Sequence, residues 1–167
     1  MADQKKQLSP SKKTGIATAV LAACLAAILH FEGSRHMPYQ DLGGVWTVCR
    51  GHTGPDVIPG KSWTEEQCKA QDVKDLQVAN DAVNSCALPF MTTGEQIAFT
   101  DFAYNVGGGA FCRSSMPGLI NAGKNKEACK VILRYVYVGK IDCRTAGKKC
   151  PGIVRRRQWE YNKCMEG

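Results

Sequence analysis

The stretch "HFEGSRHMPYQDLGGVWTVCRGHTG", residues 30–54, sets Glu32, Asp41 and Thr47 nine and six residues apart, with turn-forming residues between them. Gly33 and Ser34 come first, then Pro38, then the pair Gly43–Gly44. A short β-rich run, "VWTV" (45–48), follows, and "GHTGP" makes a second turn. This pattern reads as helix end, loop, strand, turn and strand, a small hairpin lobe. Two carboxylates reaching one cleft from a helix end and a hairpin are what glycoside hydrolysis requires. One donates a proton to the leaving oxygen, and the other helps activate a water on the opposite face. A hydroxyl such as that of Thr47 can hold the water. Taken alone, two acids in a loop-rich region also fit ordinary solvated surface.

The stretch follows directly on an apolar run, "TGIATAVLAACLAAIL" (14–29), and no charged residue other than a protonated His30 lies between Thr14 and Phe31. As a helix this segment spans roughly 27 Å, just short of the ~30 Å hydrocarbon thickness. Lys5, Lys6, Lys12 and Lys13 precede it against a single Asp3, so an inserted helix would keep its N-terminus in the cytoplasm. The run is weak. Val20, Leu21, Leu25, Ile28 and Leu29 are diluted by alanine, which makes insertion favourable by only a few kcal/mol. Three other readings of the run stay open: a cleaved signal peptide, a lipoprotein signal with "LAAC" (21–24) as its lipidation box, and a buried core helix.

With 167 residues, the chain is long enough to bury a core without staples. Its net charge of +7 suggests an anionic partner such as cell wall or an acidic membrane surface. Nucleic acid is not expected, because the Lys and Arg are scattered and no zinc-finger or RNA-binding signature stands out. The nine cysteines show no close C-x-x-C pairs, which argues against metal and for disulfides in an oxidising compartment. Setting aside Cys24, inside the apolar run, leaves eight, enough for four bridges among 105 connectivities.

Five segments follow: a basic tail (1–13), the apolar helix (14–31), a small lobe (32–63), a connecting helix (64–86) and a helical lobe (87–167). Thr64-Glu65-Glu66 suits a helix start, and Val73, Leu76, Val78 and Val83 follow at helical spacing. "EQIAFTDFAYNVG" (95–107) is a strongly apolar helix stopped by glycines. Further helices are expected at about 114–122, 126–138 and 152–164, with "GKIDCRTAGKKCPG" as a basic loop.

The elements "FEG", "PYQD" and "GVWTVCRGHTG" resemble the active-site signature of the phage-type lysozymes, the T-even phage lysozyme superfamily of glycoside hydrolases. The wording is most similar to that of signal-anchor-release endolysins of lambdoid phages and prophages, over roughly residues 30–166. "TEEQCKA", "FAYNVGGGAF" and "RRRQWEYNKC" agree with it. The resemblance implies an α+β, mostly helical lysozyme-like fold, with a small β-hairpin lobe, a larger helical lobe and a weakly hydrophobic signal-anchor helix. It implies a muramidase cutting the β-1,4 bond between N-acetylmuramic acid and N-acetylglucosamine, with inversion, no metal and no cofactor. Glu32 becomes the general acid, and Asp41 and Thr47 position and activate the water. Tyr104 and Ser114 fall where family members contact the sugar chain, a core role for Tyr104 being the alternative. His52 braces the hairpin through a carboxylate. Cysteines at 49, 68, 129 and 164 recur in related endolysins, so the resemblance implies bridges 49–68 and 129–164, leaving 143–150 and 86–112.

The expected partners are peptidoglycan glycan strands and, before release, the bacterial inner membrane, with holin- or pinholin-dependent depolarisation as the trigger. The catalytic part is expected in the periplasm, as a monomer. Release would carry Glu32 from the bilayer surface into the cleft. Cys24 adds a second expectation, attack on a bridge involving Cys49, which lies two residues beyond Thr47. The alternatives are a tethered wall-binding protein, a membrane-permeabilising protein, and a lytic transglycosylase, which needs no Asp/Thr water pair.

Overall fold

Helix α3 (Thr93–Val106) is buried at every position from Ile97 to Ala103, so partners surround it on all sides. Around it pack α1 (Pro10–Phe31), α2 (Glu65–Cys86) and α7 (Pro151–Glu166). The computed structural model describes residues 10–41, 44–87, 91–145 and 150–166, with side chains from Thr18 onward. Most of the basic tail, Gly43 of the expected glycine turn, and residues 146–149 of the expected basic loop lie outside the described residues.

Helix α1 begins at Pro10, four residues before the apolar run, with proline in its first turn, where it is tolerated. Val20, Cys24, Ala27 and Ile28 are buried, while Ala22, Ala26 and Leu29 face solvent. These buried positions recur at helical spacing, so a single stripe docks. It meets Leu76 of α2 and Ile97 of α3, with Trp159 of α7 alongside. Among the described residues no helix is long and apolar enough to cross a membrane.

The small lobe is a three-stranded antiparallel sheet of β1 (Arg35–Gln40), β2 (Trp46–Cys49) and β3 (His52–Thr53) in the order β1-β2-β3. Residues 35–40, expected as loop, form the edge strand β1. That is where Pro38 is tolerated, and the register to β2 breaks between Arg35 and Tyr39. The β2–β3 turn needs Gly51 at φ +103° and holds Cys49 at φ 57°. Val48, Cys49, Val57 and Cys68 make a small separate core under Trp63. Thr64 caps α2, accepting from the Gln67 N–H while the Gln67 side chain accepts from the Thr64 N–H.

The helical lobe departs from the expected boundaries. Gly107, at φ +90°, ends α3, yet α4 (Gly108–Arg113) starts at the next residue. Helix α5 (Met116–Asn121) follows, and α6 (Asn125–Ile132) stops six residues short of the expected end. A two-stranded hairpin, β4 (Tyr137–Val138) and β5 (Ile141–Asp142), occupies part of the expected basic loop, turning at Gly139. Phe99, Phe102, Phe111, Met116 and Ile132 fill the main core. The bridges are Cys49–Cys68, Cys86–Cys112, Cys129–Cys164 and Cys143–Cys150, and Cys24 is a free thiol. Each bridge shortens the unfolded chain's loops and typically stabilises by ~2–4 kcal/mol.

The docked face of α1 is testable by truncation on either side of it. Ile28→Ala should lower the stability of the oxidised protein by about 2–4 kcal/mol in guanidinium titrations. Leu29→Ala, one position round the helix and 44% exposed, should change it by no more than about 0.5 kcal/mol. Equal losses at the two positions would mean that this face is not packed.

Candidate active site

A cleft of about 360 Å³ opens between the hairpin and α3, with Glu32, Arg50, His52, Thr53 and Tyr104 among its lining residues. Glu32 is the residue immediately after α1, and its N–H still bonds the Ile28 carbonyl at 2.8 Å. Its position is therefore fixed by the docking of the helix. Its Oε1 is held by Arg156 of α7. The buried Arg156 guanidinium also donates from Nε and Nη2 to the two Asp101 oxygens, at 2.9 and 3.0 Å. Burial opposes the Arg156 charge, but Asp101, Glu32 and Glu160 more than offset it, so its pKa is raised.

The hairpin carries the other two expected residues. Asp41 follows β1 and ties the turn. Its N–H donates to the Val45 carbonyl (3.0 Å), and its Oδ1 accepts from the Val45 N–H (2.9 Å). Thr47 is buried and donates to the Val45 carbonyl at 3.0 Å. It stands directly opposite Thr53 on β3, so the two share one face of the sheet, and Thr53 lines the cleft.

Three ties fasten the β2–β3 end of this hairpin to α2. Cys49 is bonded to Cys68. Arg50 donates to Asp72 (2.7 Å) and to Glu65 (2.5 Å). His52 Nδ1 meets Asp75 at 2.9 Å, while its Nε2 meets Asp56 at 3.1 Å. Gly54 packs closely here: a Cβ there would come within 2.6 Å of the Asp56 carboxylate, which would have to shift. Bonds from His36 and Arg50 pull Glu65 down to about 2. Burial raises the Asp72 pKa in spite of Arg50, and Asp72 Oδ1 has no partner among the described residues.

Tyr104 donates its hydroxyl to the Arg50 carbonyl at 3.0 Å and is among the residues lining the cleft, so it links α3 to the hairpin. Burial, and after it the Asp72 and Glu32 charges, raises its pKa. Ser114 lies between α4 and α5 and is not among the lining residues. Its hydroxyl donates to the Phe111 carbonyl (2.7 Å) and accepts from the Met116 N–H (3.1 Å). Cys24 is buried in the α1 contact, and its pKa is raised chiefly by burial.

Sequence reasoning missed Arg50, Asp72, Arg156 and Asp101, which hold the site together. "RRR" at 155–157 reads as a basic helix end, although Arg156 and Arg157 are buried. One signal was available. Asp101 sits in the middle of an apolar helix, and a buried carboxylate calls for a cationic partner.

A model of the phage lysozyme family matches residues 29–160. The SAR-endolysin of Bacteriophage PS119 is 36% identical, covering 96% of this chain and 98% of that protein. Among solved structures, the muramidase domain of SpmX from Asticaccaulis excentricus is similar at 26% identity and a TM-score of 0.73, covering 86% of this chain and 95% of that one. The active form of P1 phage endolysin Lyz is similar at 25% identity and a TM-score of 0.72, covering 92% and 93%. A family match that begins just before Glu32 and runs through the hairpin, α3 and Arg156 spans the whole cleft: the chain belongs to the phage lysozyme family and is a glycoside hydrolase.

Proposed function

We propose that this peptidoglycan-hydrolysing endolysin cuts the β-1,4 bond between N-acetylmuramic acid and N-acetylglucosamine, with Glu32 as the general acid. The supporting observation is the place of Glu32, on the rim of the cleft at the end of a docked helix, with Oε1 held by Arg156. Oε2 is then the oxygen left to carry the proton to the leaving sugar. Asp41 and Thr47, on the facing hairpin, hold and activate the water. Attack from the face opposite the departing oxygen inverts the sugar carbon. His52, between Asp75 and Asp56, braces the hairpin rather than taking part in the chemistry.

In the same reading, residues 14–31 first anchor the chain in the inner membrane with the catalytic part in the periplasm, and depolarisation by a holin-type pore releases them. The stripe Val20–Cys24–Ala27–Ile28 faces lipid in the anchored state and faces Leu76 and Ile97 in the released one. Because Glu32 continues α1, the bilayer would hold it away from Arg156 and from the cleft. In the docked helix Cys24 is a buried free thiol while Cys49 is bonded to Cys68, and we assign activation to the movement of the helix.

Mass analysis of released muropeptides tests the chemistry. Glu32→Gln should lower turnover by about 100-fold or more, and wild-type products should carry ordinary reducing ends, whereas anhydro-sugar ends would indicate a transglycosylase. Replacing alanines of residues 17–27 with leucines should leave an exported but non-lytic, membrane-held protein, and lysis on schedule would refute release as the switch. Cys24→Ala should lyse on the wild-type schedule with the same four bridges in non-reducing peptide maps; a silent variant would put exchange back in the pathway.

A further inference from the structure

The cleft shares a wall with a second hollow of about 360 Å³ whose lining includes Arg134, Tyr137 and Arg157. Asn105, exposed near the end of α3, belongs to both. Behind it lies Arg157, a buried arginine that the chemistry above does not use. Each side of its guanidinium is occupied. Nε donates to the Tyr135 carbonyl (3.0 Å), Nη1 to Glu160, and Nη2 to the Asn105 side-chain oxygen. Its charged plane also lies over the Phe102 ring, 4.9 Å from the centroid.

A guanidinium only donates, so the Asn105 amide has one permitted orientation: Oδ1 turned inward to Arg157 and Nδ2 turned outward. Among the described residues Nδ2 has no acceptor. The chain therefore uses a buried arginine and a buried glutamate to fix a neutral donor at the cleft wall, beside Tyr104.

We propose that Asn105 determines specificity, its Nδ2 donating to the acetamido carbonyl of a sugar in the bound glycan strand, with Arg157 and Glu160 as the positioning residues. A hydroxyl both donates and accepts and would not need a locked amide; a carbonyl only accepts and matches one. A carboxylate would seek a cation, yet Arg50, the arginine lining the cleft, is already bonded to Glu65 and Asp72. A de-N-acetylated sugar presents an ammonium in place of this acceptor and leaves the Asn105 donor unpaired, the kind of mismatch that discriminates strongly.

This inference rests on the muramidase reading, and the experiment separates the two. The full chain is assayed on purified glycan strands and on the same strands after chemical N-deacetylation. Asn105→Asp keeps an oxygen for Arg157 and removes the donor. It should raise KM on acetylated strands about three- to tenfold with kcat little changed, and it should lower the preference for acetylated over deacetylated strands by a similar factor. Asn105→Ala, which adds no charge beside Glu160, should lose the preference too and covers a failure of the first variant to fold. A wild-type preference retained in both variants overturns the assignment while leaving the muramidase reading intact. A wild-type protein that releases no muropeptides removes both.

Discussion

Arg156 is the point at which α1, α3 and α7 are electrically joined. A guanidinium buried to this degree is tolerable only with its donors matched, and its neighbours are Asp101, Glu160 and Glu32. Arg157, one residue on, shares Glu160. Formally, two arginines and two carboxylates already balance between α3 and α7 before Glu32 is added. The helical lobe can therefore hold its buried charges whether or not α1 is present. Glu32 is an additional partner on a cation that is already balanced, and that contact gives its carboxylate a fixed bearing.

The apolar side of the same contact is modest. Of the buried stripe on α1, only Val20 and Ile28 are large, each worth ~1.5–3 kcal/mol when withdrawn from water. Bilayer insertion of so alanine-rich a run is likewise favourable by only a few kcal/mol. In the proposed cycle the helix chooses between two weak hosts, so a change in the membrane is enough to shift the population. A leucine-rich segment would lose this balance.

The residues proposed for the chemistry were legible because their spacing is itself the signal. Glu32, Asp41 and Thr47 stand in order with their turn glycines, and the cysteines fell into the four expected pairs. The helix expected over 126–138 ends early, at Ile132, because Tyr135, Val136, Tyr137 and Val138 form a β-favouring run that the Gly139 turn folds back on itself. The glycines after α3 read as one stop, yet only Gly107 takes the left-handed conformation, and Gly108 packs against Ala82 as α4 begins. Arg50, Arg156 and Arg157 were illegible for a different reason. An arginine in the sequence looks solvated unless its carboxylates are known, and these lie between 3 and 124 residues away.

The two walls of the cleft also differ in freedom. Cys68, Asp72 and Asp75 stand at i, i+4 and i+7 on α2, one stripe that takes the disulfide, the Arg50 pair and the His52 pair in succession. Tyr104 adds a tie from α3 to the Arg50 carbonyl. Asp41 and Thr47 thus belong to a hairpin anchored by a covalent bond, two charged contacts and a buried hydroxyl. Glu32 hangs from a helix held by a short apolar stripe and one ion pair. If any member of this constellation is to be withheld and later supplied, the distribution of bonds makes it Glu32, at the end of α1, while the hairpin stays in place throughout.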